Sequence, residues 1–206
     1  MATLAEMIGG SGTPGTFLGL DRAESVGAAA DIVIYGADCA TPYPWVGAYC
    51  AGGPTAIRAG SADYAGAVER VNFDLMGPLL PKGVRAVDAG DLATEPGDPS
   101  GNRDRIEAAT RQILGNGAVP VLLGGDDSVP LGMLRAFDGG APLTILQIDA
   151  HIDWRDEVRG NGWGCLRRCV GQARWPMSSG SCRSARGVSA RRAWRRWRRR
   201  RPGARI

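Results

Sequence analysis

Long apolar runs are what this sequence lacks first: none of its hydrophobic stretches is long enough to cross a bilayer as a helix. Residues 1–10 have neither the basic start nor the apolar centre of a secretory signal. Cysteine occurs five times, an odd number without regular spacing, which argues against a disulfide framework. These absences lead to the expectation of a reducing, cytoplasmic setting with no membrane partner. Aromatic residues make up only 6% of the chain. Histidine occurs once, as His151, so no second imidazole remains to shuttle protons. Acidic residues stop at Glu157. Residues 1–166 carry 11 basic and 21 acidic side chains, whereas residues 167–206 carry 14 basic ones and no acid. The net charge of +4 is therefore the sum of two opposite halves.

What is present suits a single α/β domain, for which 206 residues and 31 glycines in loops are ample. Residues 1–30 show no clear period and read as a surface arm, with a helix around residues 23–30. Residues 31–37 are a first buried strand. Pro42, Pro44, Gly47 and Gly52 punctuate residues 39–53 as a loop. A loop of that length inside a compact domain is usually functional. Pro54 then suits the first turn of a helix. Residues 84–92 predict a second strand with a polar end, and residues 95–101 a turn-rich connection. Ile106, Ala109, Ile113 and Leu114 predict a helix over residues 102–114, stopped by the glycines at 115 and 117. Residues 118–123 predict a third strand, 130–137 a helix and 143–148 a further buried strand. Strands alternating with helices through tight Gly/Asp turns indicate a parallel sheet covered on both faces.

Two of these strands end in acid. Gly124-Gly125-Asp126-Asp127-Ser128 follows one; Asp149, His151 and Asp153, spaced two apart, follow the other. In extended chain that spacing sends all three side chains to one face, beyond the carboxyl end of a strand, where open α/β sheets place ligands. Two carboxylates and one imidazole suit a divalent metal of the manganese or zinc kind, and the oxygen ligands favour manganese. Carboxylates gathered at one rim repel unless a cation sits among them. The bland alternatives are a polar turn after the later strand and, after the earlier one, a turn in which Asp127 or Ser128 caps the next helix.

Four stretches together resemble the ureohydrolase family of arginase, agmatinase and related guanidino-compound hydrolases. Gly124-Gly125-Asp126-Asp127-Ser128 resembles the family's Gly-Gly-Asp-His-Ser. Asp149-Ala150-His151-Ile152-Asp153 matches its Asp-Ala-His-x-Asp. Gly53-Pro54-Thr55-Ala56-Ile57-Arg58 resembles its Gly-Pro-x-Ala-Ile-Arg, and Val87-Asp88-Ala89-Gly90-Asp91 matches a further strand. The order and spacing fit over roughly residues 31–160. The resemblance implies a three-layer αβα fold with a parallel sheet, and a binuclear manganese (Mn2+) site that hydrolyses a guanidino compound to urea and an amine. By position it implies Asp149 and Asp153 as carboxylate ligands, Asp149 spanning both ions, and His151 as a ligand of the second ion. Asp127 stands where the family usually has a histidine ligand of the first. The loop through Cys39, Thr41 and Tyr43 points to the agmatinase branch. Relatives of this kind tend to be homo-oligomers.

The family's second Asp-x-Asp motif has no counterpart after Glu157, so the fold is expected to be C-terminally truncated and this chain inactive. The expected organisation is an arm over 1–30, the ureohydrolase-like domain over 31–163, and an arginine-rich tail over 164–206. The tail has no apolar period and cannot continue a parallel sheet. It reads as GC-rich DNA translated in a shifted frame, which also explains its lack of lysine. The rival reading is a nucleic-acid-binding arm, in which arginines neutralise phosphates while Trp175, Trp194 and Trp197 stack on bases.

Overall fold

The computed structural model describes residues 15–65, 68–141, 143, 145, 146 and 148. Among the described residues, six strands and three α-helices run in the order β1 (Asp21–Arg22), β2 (Ile32–Ala37), α1 (Gly53–Ser61), β3 (Val71–Asn72), β4 (Gly77–Pro78), β5 (Ala86–Asp91), α2 (Pro99–Gly115), β6 (Val119–Gly124) and α3 (Val129–Arg135). Four strands form one sheet in the order β1-β5-β2-β6, parallel throughout. β3 and β4 form a separate antiparallel hairpin.

β2 is the central strand because its Ile-Val-Ile-Tyr run can bury both faces. Val33 and Tyr35 pack with Ala109 and Ile113 of α2 on one face. Ile34 packs with Leu20, Ala86 and Leu123 on the other. Thr110 donates to the Ile106 carbonyl at 2.7 Å. The Tyr35 hydroxyl, 2.6 Å from Thr110 Oγ1, is therefore the donor in that buried pair. Ile106 and Ile113 are fully buried, each worth about 1.5–3 kcal/mol of hydrophobic stabilisation. α3 packs on α2 at Gly132, where an added Cβ would stand 2.8 Å from Ile106 Cβ. α1 covers the opposite face, so helices lie on both sides of the sheet, as a three-layer αβα fold requires.

Differences from the sequence reading have local causes. α2 begins three residues before the expected start because Asp98 accepts from the Gly101 amide at 2.9 Å and Pro99 occupies the first turn. The end set by the two glycines matches expectation, with Gly117 at φ +78°. Residues 23–30 form bends and turns instead of a helix. Gly27 lies against Gln112, and its carbonyl accepts from Asn116; so short a segment would also be a marginal helix. The preceding residues enter the sheet, since β1 pairs with β5 at Asp21↔Val87. Leu143, Ile145, Leu146 and Ile148 lie outside any strand, and Ile148 is 92% exposed. A buried strand there needs cover on both faces. Among the described residues no element lies beyond β6, whose Val119 is 58% exposed. Among the described residues, too, no helix is long and apolar enough to cross a membrane.

Candidate functional site

The strand register decides where chemistry can gather. Gly36 pairs with Asp91, and Ala37 pairs with Gly124, so β2, β5 and β6 end together. The loop after β2 and the Gly124–Ser128 turn therefore share the carboxyl rim of the sheet. Their contact is close enough to demand glycine: a Cβ at Gly125 would stand 2.0 Å from the Asp38 carbonyl oxygen, and one at Gly53 would stand 2.9 Å from the Gly124 carbonyl oxygen.

Side chains then lock the two loops together. Asp126 Oδ1 accepts from the Ser128 amide at 3.0 Å and from Ser128 Oγ at 2.5 Å. Ser128 Oγ in turn accepts from the Thr41 amide at 2.7 Å, and Arg103 donates to Thr41 Oγ1 at 2.8 Å. Ser128 makes no capping bond to α3; its hydroxyl fastens the loop after β2 instead. Asp126 is 6% exposed. Among the described residues its Oδ2 meets no hydrogen-bond donor. Burial pushes this carboxyl above the usual range, against the two bonds from Ser128. Burial likewise raises the Cys39 thiol, which is 1% exposed.

Asp127 projects from the same turn, and its Oδ2 accepts from the Tyr43 hydroxyl at 3.0 Å. Tyr43 comes from the loop after β2, where its ring lies 5.1 Å from Trp45 and 6.2 Å from Tyr49. Of the four expected ligand positions, the structure places Asp127 at the rim. Asp149, His151 and Asp153 lie outside the described residues. Among the described residues no group of three or more His, Cys, Asp or Glu side chains is arranged to hold a metal.

Two further motif residues prove structural. Arg58 of α1 grips Asp88 of β5 with two parallel bonds, Nε to Oδ2 at 2.8 Å and Nη2 to Oδ1 at 2.9 Å. Its Nη1 reaches Asp91 at 2.5 Å. Asp88 also accepts from the Phe17 and Gly90 amides. Burial alone would raise its pKa, but Arg58 and the two amides outweigh that and hold it below the usual carboxylate range. The clamp fixes α1 against the sheet, and with it the end of the loop that carries Tyr43. Sequence reasoning singled out that loop for its length but gave Tyr43 no role. The usable signal was an aromatic residue in a long loop leaving the same rim as Asp127.

The model of the arginase family matches residues 30–189. The chain belongs to the arginase family. The match runs past residue 163 into the arginine-rich segment. This arginase-family chain is 30% identical over 138 residues to the N(1)-aminopropylagmatine ureohydrolase of Thermococcus kodakarensis, covering 64% of this chain and 45% of the relative. It is 31% identical over 138 residues to the agmatinase of Bacillus subtilis, with 64% and 43% covered. The chain thus spans about half the length of the curated relatives it matches. Among solved structures, the proclavaminate amidino hydrolase of Streptomyces clavuligerus superposes with a TM-score of 0.62 at 27% identity, covering 77% of this chain and 52% of that one. The parallel sheet with helices on both faces is accordingly the arginase fold.

Proposed function

We propose that this chain is built for the agmatinase-type reaction, hydrolysis of a guanidino compound to urea and an amine at the carboxyl rim of the sheet. The observation that carries the reading is the family match, joined to the placement of Asp127 at that rim with Tyr43 holding its carboxylate. In this reading Asp127, Asp149, His151 and Asp153 hold manganese. Bound by these residues, a divalent ion would offset their negative charge and would supply the Lewis acidity that lowers the pKa of water toward neutrality. The side chains do the rest. The Tyr43 bond fixes the rotamer of Asp127, and the Asp126–Ser128–Thr41 network fixes the turn that presents it.

Two features limit turnover in this reading. Asp127 replaces an imidazole by a carboxylate, which adds negative charge and shifts metal preference toward harder ions. Residues 158–206 contain no Asp, Glu or His, so they supply no second Asp-x-Asp pair. Manganese binding is then weak and urea release slow or absent. Calorimetric titration with manganese, set beside a urea-release assay on agmatine, tests this: weak binding that Asp127→Ala abolishes supports it. Unchanged binding in that variant, or urea release at ordinary enzyme rates from this chain, counts against it.

For residues 164–206 the charge asymmetry goes with the shifted-frame reading, to which a nucleic-acid arm is the rival. The 14 arginines beyond residue 166, interleaved with Trp175, Trp194 and Trp197, have the composition of a phosphate-neutralising, base-stacking arm. Steep salt dependence in filter binding to single-stranded nucleic acid supports an arm. The gene sequence around codon 164 tests the shifted frame, which requires intact relatives to diverge there.

A further inference from the structure

The β3–β4 hairpin holds apolar side chains where water meets them. Val71, Phe73, Leu75, Met76 and Leu79 are all exposed, Phe73 by 84% and Met76 by 82%. Left in water, such side chains gain nothing for folding. Together they expose on the order of 600 Å², the upper end for the largest apolar patch of a typical monomer.

The hairpin is nevertheless fixed. Asn72 Oδ1 accepts from the Asp74 and Leu75 amides at 2.9 and 3.0 Å, which folds the tip. The Leu79 amide donates to the Val68 carbonyl at 3.0 Å. Val68 and Leu80 pack against the core cluster of Leu20, Ile34, Ala86 and Leu123, so the base of the hairpin is anchored. Met76 holds φ +55°, a left-handed conformation that is unfavourable for any residue but glycine. A hairpin of two-residue strands is also marginal by itself in water. The tip is thus built outward against local preference.

The charges beside the tip select what covers it. Residues 68–83 carry two acidic side chains, Glu69 and Asp74, and two basic ones, Arg70 and Lys82, all four exposed. That balance gives no net attraction for nucleic acid or an anionic membrane. It does suit a surface that meets itself, since across a two-fold axis the acids of one copy can face the bases of the other. An apolar tip is best covered by an equally apolar surface, and a second copy supplies one. Two tips face to face hide about 1,200 Å² in total, the lower bound of a specific interface.

We propose that the β3–β4 hairpin is the contact between two copies of this chain, with Phe73 and Met76 at its centre and the four charged residues around them. The resemblance to homo-oligomeric relatives assigns no surface to that contact; the hairpin does, and independently of the hydrolase reading.

The test uses the full chain in about 0.3 M salt, which screens the arginine-rich segment. Sedimentation equilibrium over a concentration series gives the dissociation constant of the dimer. Phe73→Glu is expected to weaken dimerisation by roughly 10- to 30-fold, and Phe73→Leu to keep it within about threefold. Phe73 is exposed, so neither variant disturbs the core, and circular dichroism checks that both fold. Met76→Gly removes the strained conformation and the apolar side chain together. Its unfolding midpoint should hold or rise while dimerisation weakens, a combination that a purely structural tip does not give. With para-fluorophenylalanine at the three phenylalanine positions, the Phe73 fluorine resonance, assigned from Phe73→Leu, should move with protein concentration. The proposal is overturned if the wild type stays monomeric to about 100 μM, or if Phe73→Glu dimerises as tightly as the wild type. A Phe73 resonance that is shielded at every concentration would mean that the chain covers its own tip, which overturns it as well. So would monomers that co-sediment with neutral lipid vesicles and lose that binding in Phe73→Glu.

Discussion

Replacing Arg58 with leucine leaves the Asp88 carboxylate buried without the guanidinium that neutralises it. The two side chains are 7% and 1% exposed, so solvent screens the pair little. Asp88 would keep its bonds from the Phe17 and Gly90 amides but lose both charge-assisted bonds from Arg58. Removing one partner of a buried pair costs about 3–5 kcal/mol. The second arm, to Asp91, adds less, because that carboxylate is 34% exposed. Against a typical domain stability of roughly 5–15 kcal/mol, the loss is about a fifth or more of the total.

The pH dependence gives this prediction a second, independent readout. In the wild type Asp88 has a folded pKa below its unfolded value of about 3.9. Its contribution is fully present above that value and is lost as pH falls through the folded pKa. In Arg58→Leu the carboxyl is buried without its cation, so its folded pKa rises, and the variant is relatively favoured in acid. The stability gap between the two proteins should therefore shrink as pH falls from 7 toward 3. Urea unfolding followed by circular dichroism at several pH values measures it. Arg58→Lys, which keeps the charge but not the two-pronged geometry, should fall between them. A loss below about 1 kcal/mol at pH 7, or a gap independent of pH, refutes the reasoning.

Gly125→Ala should destabilise the fold by about 3 kcal/mol, because its Cβ has no room beside the Asp38 carbonyl; the unfolding midpoint reports this. Tyr35→Phe should cost about 1 kcal/mol for one buried hydrogen bond, measured the same way, with little change in compactness. Under native conditions Cys39, buried with its thiol pKa raised by burial, should react with a thiol reagent far more slowly than Cys50. Peptide mapping by mass spectrometry distinguishes the two, and equal rates would show that the rim opens. Gly132→Ala should cost about 1–3 kcal/mol by overpacking α2 against α3, seen as a lowered Tm.

Where the chain's local chemistry and its tertiary setting agree, the fold is legible in the sequence. β2 reads as a buried strand from its apolar run, and the loop after it reads as functional from its length. β1 and the β3–β4 hairpin escape notice because strands of two residues carry no period to detect. Residues 23–30 look helical by composition, yet Gly27 is held by the end of α2, a contact 89 residues away in sequence. The same limit applies at the site. Asp127 is visible as a motif residue, but its bond to Tyr43 spans 84 residues and follows only from the register that brings the ends of β2 and β6 level. The Arg58–Asp88 clamp is visible as two motifs, and only the packing of α1 on β5 shows that they are one interaction.

We propose that Asp127 belongs to the same binuclear metal site as Asp149, His151 and Asp153. The most direct test of this central claim is a manganese titration followed by electron paramagnetic resonance, comparing the wild type with the four single alanine variants. If the four residues form one site, each variant weakens binding by roughly tenfold or more, and Ser128→Ala, which removes no ligand, weakens it less. Asp127→Ala binding manganese as tightly as the wild type, while the other three lose it, would remove Asp127 from the site and contradict the account.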